Sequence, residues 1–177
     1  MSKIRARQAL TPDGWAYDLC VEICDGRIGR ISGDKSGGHR SFDLLLPAPV
    51  NLHSHAFQRA MAGLTESRGP DPRDSFWTWR KLMYRFLDQL TPEQAQAIAE
   101  LVFMEMLEAG YGTVAEFHYL HHDNGGVPYH NLPEMAERIV AAARQTGMGL
   151  TLLPVLYIQG GCDGSALQGG QKRFGCD

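Results

Sequence analysis

The chain reads as an α/β protein with a parallel sheet, preceded by a small antiparallel β unit. Three observations predict this. Apolar stretches of strand length recur near residues 44–52, 113–119 and 149–157. Patterns of helical length lie between them. Before residue 42 only short alternating stretches occur, split by turn residues. Strand–helix–strand–helix–strand order favours parallel strands joined by right-handed crossovers. The division is expected between residues 1–42 and 43–177.

In residues 4–31 the turn signals are Pro12-Asp13-Gly14 and Asp25-Gly26-Arg27, and Asp-Gly between apolar runs marks a hairpin. Tyr17, Leu19, Val21 and Ile23 alternate with Asp18, Cys20 and Glu22, as in a half-buried strand. Residues 33–40, with Gly37-Gly38-His39, read as a flexible connection. The first strand of the main unit is expected over residues 44–52, as a buried apolar run. Gly69-Pro70-Asp71-Pro72 marks a loop, and residues 76–90 form an aromatic-rich helical stretch. Thr91-Pro92-Glu93-Gln94 is a helix start, with Thr91 as N-cap, Pro92 at the first position and Gln94 at the third. That helix runs to about Ala109 and stops at Gly110. Residues 113–119 are the second strand. Asn131-Leu132-Pro133-Glu134 starts a helix ending near Gly147, and residues 149–157 are the third strand. Residues 160–177 are rich in glycine, lack periodicity and are expected to be loop with a frayed end.

Composition excludes several functions. A net charge of −3, with the 17 basic residues scattered, gives no footprint for nucleic acid or an anionic membrane. No stretch of about 18 apolar residues exists to span a bilayer. The N-terminal charges are not followed by the apolar run of a secretory signal, so a cytoplasmic protein is expected. Cys20, Cys24, Cys162 and Cys176 lack zinc-finger spacing and are expected to be free thiols.

The chemistry concentrates at His53 and His55. Strand residues two apart share a face, so both imidazoles should leave one strand end together. Neutral imidazole is a common ligand for zinc. The pair supplies two ligands, whereas a catalytic zinc takes three from protein. An ordinary polar turn is the competing reading. Glu116 lies mid-strand among apolar residues and needs a partner. His118, His121 and His122 are expected to be loop or supporting histidines, since this stretch reads as strand and exit loop and not as a helix.

The segment Asn-Leu-His-Ser-His-Ala-Phe-Gln-Arg-Ala-Met-Ala-Gly-Leu-Thr-Glu, residues 51–66, resembles the first metal-binding strand and loop of the amidohydrolase superfamily. More narrowly it resembles the formimidoylglutamate deiminases of histidine degradation. Asp-Ser-Phe-Trp-Thr-Trp-Arg (74–80), Val-Ala-Glu-Phe-His-Tyr-Leu-His-His (114–122) and Gly-Leu-Thr-Leu-Leu-Pro-Val-Leu-Tyr (149–157) agree with it. The resemblance implies a partial (β/α)8 metal-dependent hydrolase barrel, about its first three βα units. The N-terminal strands would be part of a β-sandwich. It implies zinc ligands at His53 and His55, and substrate-binding residues at Gln58, Arg80 and Tyr119. Gln58 would hold the formimino end, and Arg80 a carboxylate, which suits a planar guanidinium. By position alone, Arg80 would suit a solvated helix face and Tyr119 a core rim.

The implied reaction is metal-assisted hydrolysis of an acidic amidine, N-formimino-L-glutamate, to N-formyl-L-glutamate and ammonia. In the family the remaining metal ligands, a His and an Asp, come from later strands, as do the catalytic Glu, another His and a second Arg. The ending is therefore expected to be that of a truncated reading frame, with an incomplete zinc ligand set and no turnover by this chain alone. The alternatives are a non-catalytic fragment, or an amidohydrolase acting on another amidine. Three strands cannot close a barrel, so self-association through an exposed sheet edge is also expected.

Overall fold

The structure, a computed structural model, describes residues 2–33, 40–65 and 75–176. The connection through Gly37, Gly38 and His39, the loop at Gly69 to Pro72, and Asp74 lie outside the described residues. The chain divides into two compact units, Met1–Ala48 and Pro49–Asp177.

The first unit is a sheet of β1 (Ser2–Thr11), β2 (Gly14–Cys24), β3 (Arg27–Ser32) and β4 (Arg40–Leu45), in the order β3-β2-β1-β4. Asp25 and Gly26 both take positive φ, 51° and 73°, as a two-residue hairpin whose twist matches its strands requires. The expected antiparallel unit needs correction. β1–β2 and β2–β3 are antiparallel, but β4 runs parallel to β1. β4 carries residues 43–45 into this sheet, so the compact unit extends to Ala48.

The expected strand over residues 44–52 is therefore two strands. β4 ends at Leu45, and β5 (Val50–Ser54) opens the second unit. Pro47 and Pro49 lie between them, and neither can donate to a ladder, so one continuous strand is broken there. Nor is the run buried: Val50 is 50% and Leu52 74% exposed.

The second unit has a parallel sheet in the order β5-β6-β7, with β6 at Thr113–His118 and β7 at Gly149–Pro154. A 3-10 turn, Ala56–Met61, follows β5. Three helices complete the unit: α1 (Phe76–Leu87), α2 (Pro92–Glu108) and α3 (Glu134–Thr146). α2 starts at the expected capping box: Gln94 N donates to Thr91 Oγ1 and Thr91 N to Gln94 Oε1. Gly147, at φ 81°, ends α3 in the left-handed conformation that glycine adopts without a Cβ penalty. Ala99, Val102 and Phe103 of α2, and Ile139, Ala142 and Ala143 of α3, sit at helical spacing and pack on Val114 of β6. This core fixes one face of the sheet and leaves the other for chemistry.

The C-terminal stretch also needs correction, because it is packed. A 3-10 turn, Gly169–Phe174, buries Gln171, Arg173 and Phe174. Cys176 N donates to the Tyr157 carbonyl at 2.9 Å, so the chain stays docked almost to its end. Arg173 is 0% exposed. Its guanidinium donates to the carbonyls of Leu87, Leu90 and His122 and to the Tyr129 hydroxyl. The Leu87 carbonyl lies at the end of α1, where a helix has unsatisfied acceptors and negative dipole charge, and Leu90 lies just beyond it.

Candidate metal and substrate site

β5 pairs with β6 through a bulge. Asn51 lies opposite Val114 and Ser54 opposite Glu116, so three steps on β5 match two on β6. The extra residue resets the alternation. Asn51 reaches α2, its Nδ2 3.6 Å from Met106 Sδ, while His53 and His55 gather with Phe117 on the opposite face. Asn51 Oδ1 accepts the His53 N–H at 3.1 Å, which gives that donor a partner across the bulge.

The two rings converge. His53 Nε2 and His55 Nε2 are 3.0 Å apart, and the planes meet at 86°. Two nitrogens about 2.0–2.1 Å from a tetrahedral zinc ion would be separated by roughly 3.3 Å. The pair is therefore close to ligand spacing. His55 Nδ1 lies 3.2 Å from the Phe117 carbonyl. That bond requires the proton on Nδ1 and leaves Nε2 with its lone pair, the usual arrangement of a metal-binding histidine. Burial holds the His55 pKa below its ordinary value, against the Phe117 bond and helped by neighbouring His53, so the neutral ligand form is favoured. The donor chemistry fits zinc. Among the described residues no third His, Cys, Asp or Glu completes a group that could hold an ion.

Glu116 acts behind the pair. It is 2% exposed, and its Oε1 accepts the Ala56 N–H at 2.6 Å. Ser54 lies opposite Glu116 across the ladder, and Glu116 Oε2 has no hydrogen-bond partner among the described residues. Ala56, which follows His55, is thus tied to β6 by this side chain. Burial raises the Glu116 pKa, only partly offset by neighbouring Ser54 and the Ala56 N–H.

Beside His55 lies a cavity of about 210 Å³. Gln58, Arg80 and Tyr119 line it together with His55. The 3-10 turn after β5 places Gln58, α1 places Arg80, and the residue after β6 places Tyr119. The structure thus brings together all the residues expected from sequence, His53 through its contact with His55. Tyr84, Tyr157 and Phe174 were not expected, yet they form the far wall. Tyr157 sits in the loop after β7, a position from which strand order alone would have suggested it.

The other histidines stand apart from the pair's ligand nitrogens. His121 Nε2 bonds the Val155 carbonyl at 2.9 Å, and His118 is 5% exposed beneath the sheet. Burial, with His121 nearby, pushes the His118 pKa down to about 4. The unfolded chain therefore binds the proton more readily, and stability is lost as pH falls from about 6.5 towards 4. Between pH 7 and 5 this costs about 2 kcal/mol. His118→Asn should flatten that part of the stability–pH profile measured by urea unfolding; an unchanged profile would show that His118 stays protonated or accessible.

Comparison with known proteins identifies the family. Residues 44–166 match the pattern described as amidohydrolase family, and residues 1–39 that of formimidoylglutamate deiminase HutF, N-terminal domain. Formimidoylglutamate deiminase of Pseudomonas aeruginosa is 52% identical, over 98% of this chain and 39% of that protein. The crystal structure of an amidohydrolase from Brucella melitensis superposes with a TM-score of 0.92 at 52% identity, covering 100% of this chain and 40% of that one. An atrazine chlorohydrolase from Arthrobacter aurescens TC1, complexed with zinc, shares the fold at a TM-score of 0.64 and 20% identity, over 86% of this chain and 35% of that one. The chain thus spans about two fifths of the length of the first two of these relatives.

Proposed function

Because the chain belongs to the amidohydrolase family, we propose that it carries the first-strand metal ligands and the substrate-binding wall of a formimidoylglutamate deiminase. That activity would convert N-formimino-L-glutamate to N-formyl-L-glutamate and ammonia in histidine degradation. The observation that carries the reading is the cavity beside His55. Among the described residues its lining holds the guanidinium of Arg80 and no carboxylate, so it favours an acidic ligand.

His53 and His55 would hold zinc through their Nε2 atoms. When bound, zinc supplies activation of the attacking water. The chain's own side chains orient the substrate. Arg80 receives a carboxylate, Gln58 hydrogen-bonds the formimino end next to the histidines, and the Tyr119 ring, 5.3 Å from that of His55, closes the side of the cavity. β5, β6 and β7 with their helices would be the first three units of a (β/α)8 barrel. The outer edges of β5 and β7 would be routes for self-association. Among the described residues no helix is long and apolar enough to cross a membrane. The four cysteines are free, which supports a reducing, cytoplasmic setting.

The test is a titration of the chain with N-formyl-L-glutamate followed by NMR. Signals of Gln58, Arg80 and Tyr119 should move together, and Arg80→Ala should remove the response. Equal binding of a neutral purine, or shifts confined to other residues, would overturn the acidic-ligand reading.

A further inference from the structure

A guanidinium offers a carboxylate two edges, Nε with Nη2 and Nη1 with Nη2. In Arg80 the first edge is taken. Nε donates to the Tyr84 hydroxyl at 3.0 Å and Nη2 to the Tyr157 hydroxyl at 3.2 Å. The two phenol oxygens stand where the oxygens of a side-on carboxylate would sit. Tyr157 is held in turn by Gln171, whose Nε2 donates to its hydroxyl at 3.3 Å and to the Gly160 carbonyl at 2.9 Å. Tyr84 is seated against Gly170, where a Cβ would come within 2.8 Å of Cδ1 of the ring. The guanidinium lies 5.6 Å from the Trp77 ring and 5.3 Å from that of Tyr84. Among the described residues Nη1 makes no hydrogen bond, and the second hydrogen of Nη2 is also left over.

We infer that Tyr84 and Tyr157 are specificity-determining positioning residues, which block the Nε edge of Arg80 and present its Nη1/Nη2 edge to one carboxylate of an acidic amidine. This rests on the reading of Arg80 as the carboxylate-binding residue. The phenols hold a flexible side chain in one orientation before the ligand arrives, which removes ordering cost from binding. They are neutral, so the positive charge of Arg80 stays available to the ligand instead of being cancelled by a protein carboxylate.

The experiment titrates the full chain with N-formyl-L-glutamate and with its diamide, and follows the Arg80 side-chain nitrogens by NMR. In the unsubstituted chain the diacid should bind more tightly than the diamide, and Nη signals should move while Nε stays put. Tyr84→Phe and Tyr157→Phe should each weaken diacid binding by about three- to tenfold, the loss of one hydrogen bond. Diamide binding should be unchanged, which a merely structural role of the phenols would not predict. Variants that keep the full preference for the diacid would overturn the inference. So would a ligand-induced shift of Nε, which would mean that the carboxylate displaces the phenols. A different failure, no preference for the diacid in the unsubstituted chain, would sink the carboxylate role of Arg80 itself.

Discussion

Arg173→Met is expected to lower the unfolding free energy of the chain by about 3–5 kcal/mol. The residue is fully buried, and four acceptors converge on its guanidinium. Removing the donors strands buried carbonyls at about 1–3 kcal/mol each. The Leu87 carbonyl keeps the Leu90 N–H at 3.2 Å, so the cost falls mainly on Leu90 and His122. A loss of this size corresponds to roughly 10 °C in unfolding temperature for a chain of this length. Arg173→Lys should recover only part of it, because one ammonium cannot span acceptors on three segments. The next residue, Phe174, packs its ring 5.6 Å from Tyr157 and 5.4 Å from Tyr119, so the same substitution should loosen the cavity wall. A loss below about 1 kcal/mol in chemical denaturation would show that the Gly169–Phe174 turn is not held as described.

The second large effect concerns the histidine pair. His53→Ala should reduce zinc affinity by more than about 100-fold, beyond the 10–100-fold typical of losing an outer partner only. The reason is arithmetic: the described residues give the ion two imidazoles and no third ligand group. His55→Ala should act as strongly. It also removes the bond to the Phe117 carbonyl, which selects the tautomer.

How much of this could be read from the sequence varies by residue. The α2 start was legible because a capping box is a local signal, carried by Thr91, Pro92 and Gln94. The convergence of His53 and His55 was expected from strand alternation, and they do converge, but a simple alternation would also have put Asn51 with them. The bulge that separates Asn51 depends on pairing with β6, more than fifty residues away, and leaves no mark in the local pattern. The run over residues 44–52 looked like one buried strand because its leucines outweighed Pro47 and Pro49 in the pattern. Pairing of β4 with β1 is a long-range choice that apolar content does not encode. Arg173 was least legible. A charged residue in a glycine-rich stretch reads as solvated loop, and its acceptors lie 83, 86, 51 and 44 residues distant in the chain. Tyr84 and Tyr157 read as helix and loop aromatics until Arg80 is placed between their hydroxyls.

The central claim is that His53 and His55 form a metal-ligand pair at the end of β5. Its most direct test is a zinc titration of the chain with histidine side-chain NMR as the readout. The account predicts that the Nε2 signals of His53 and His55 move together, that His118, His121 and His122 stay in place, and that the metal is weakly held and lost on dialysis. Movement of the His118–His122 signals with the pair unchanged, or zinc affinity undiminished in His53→Ala, would contradict it.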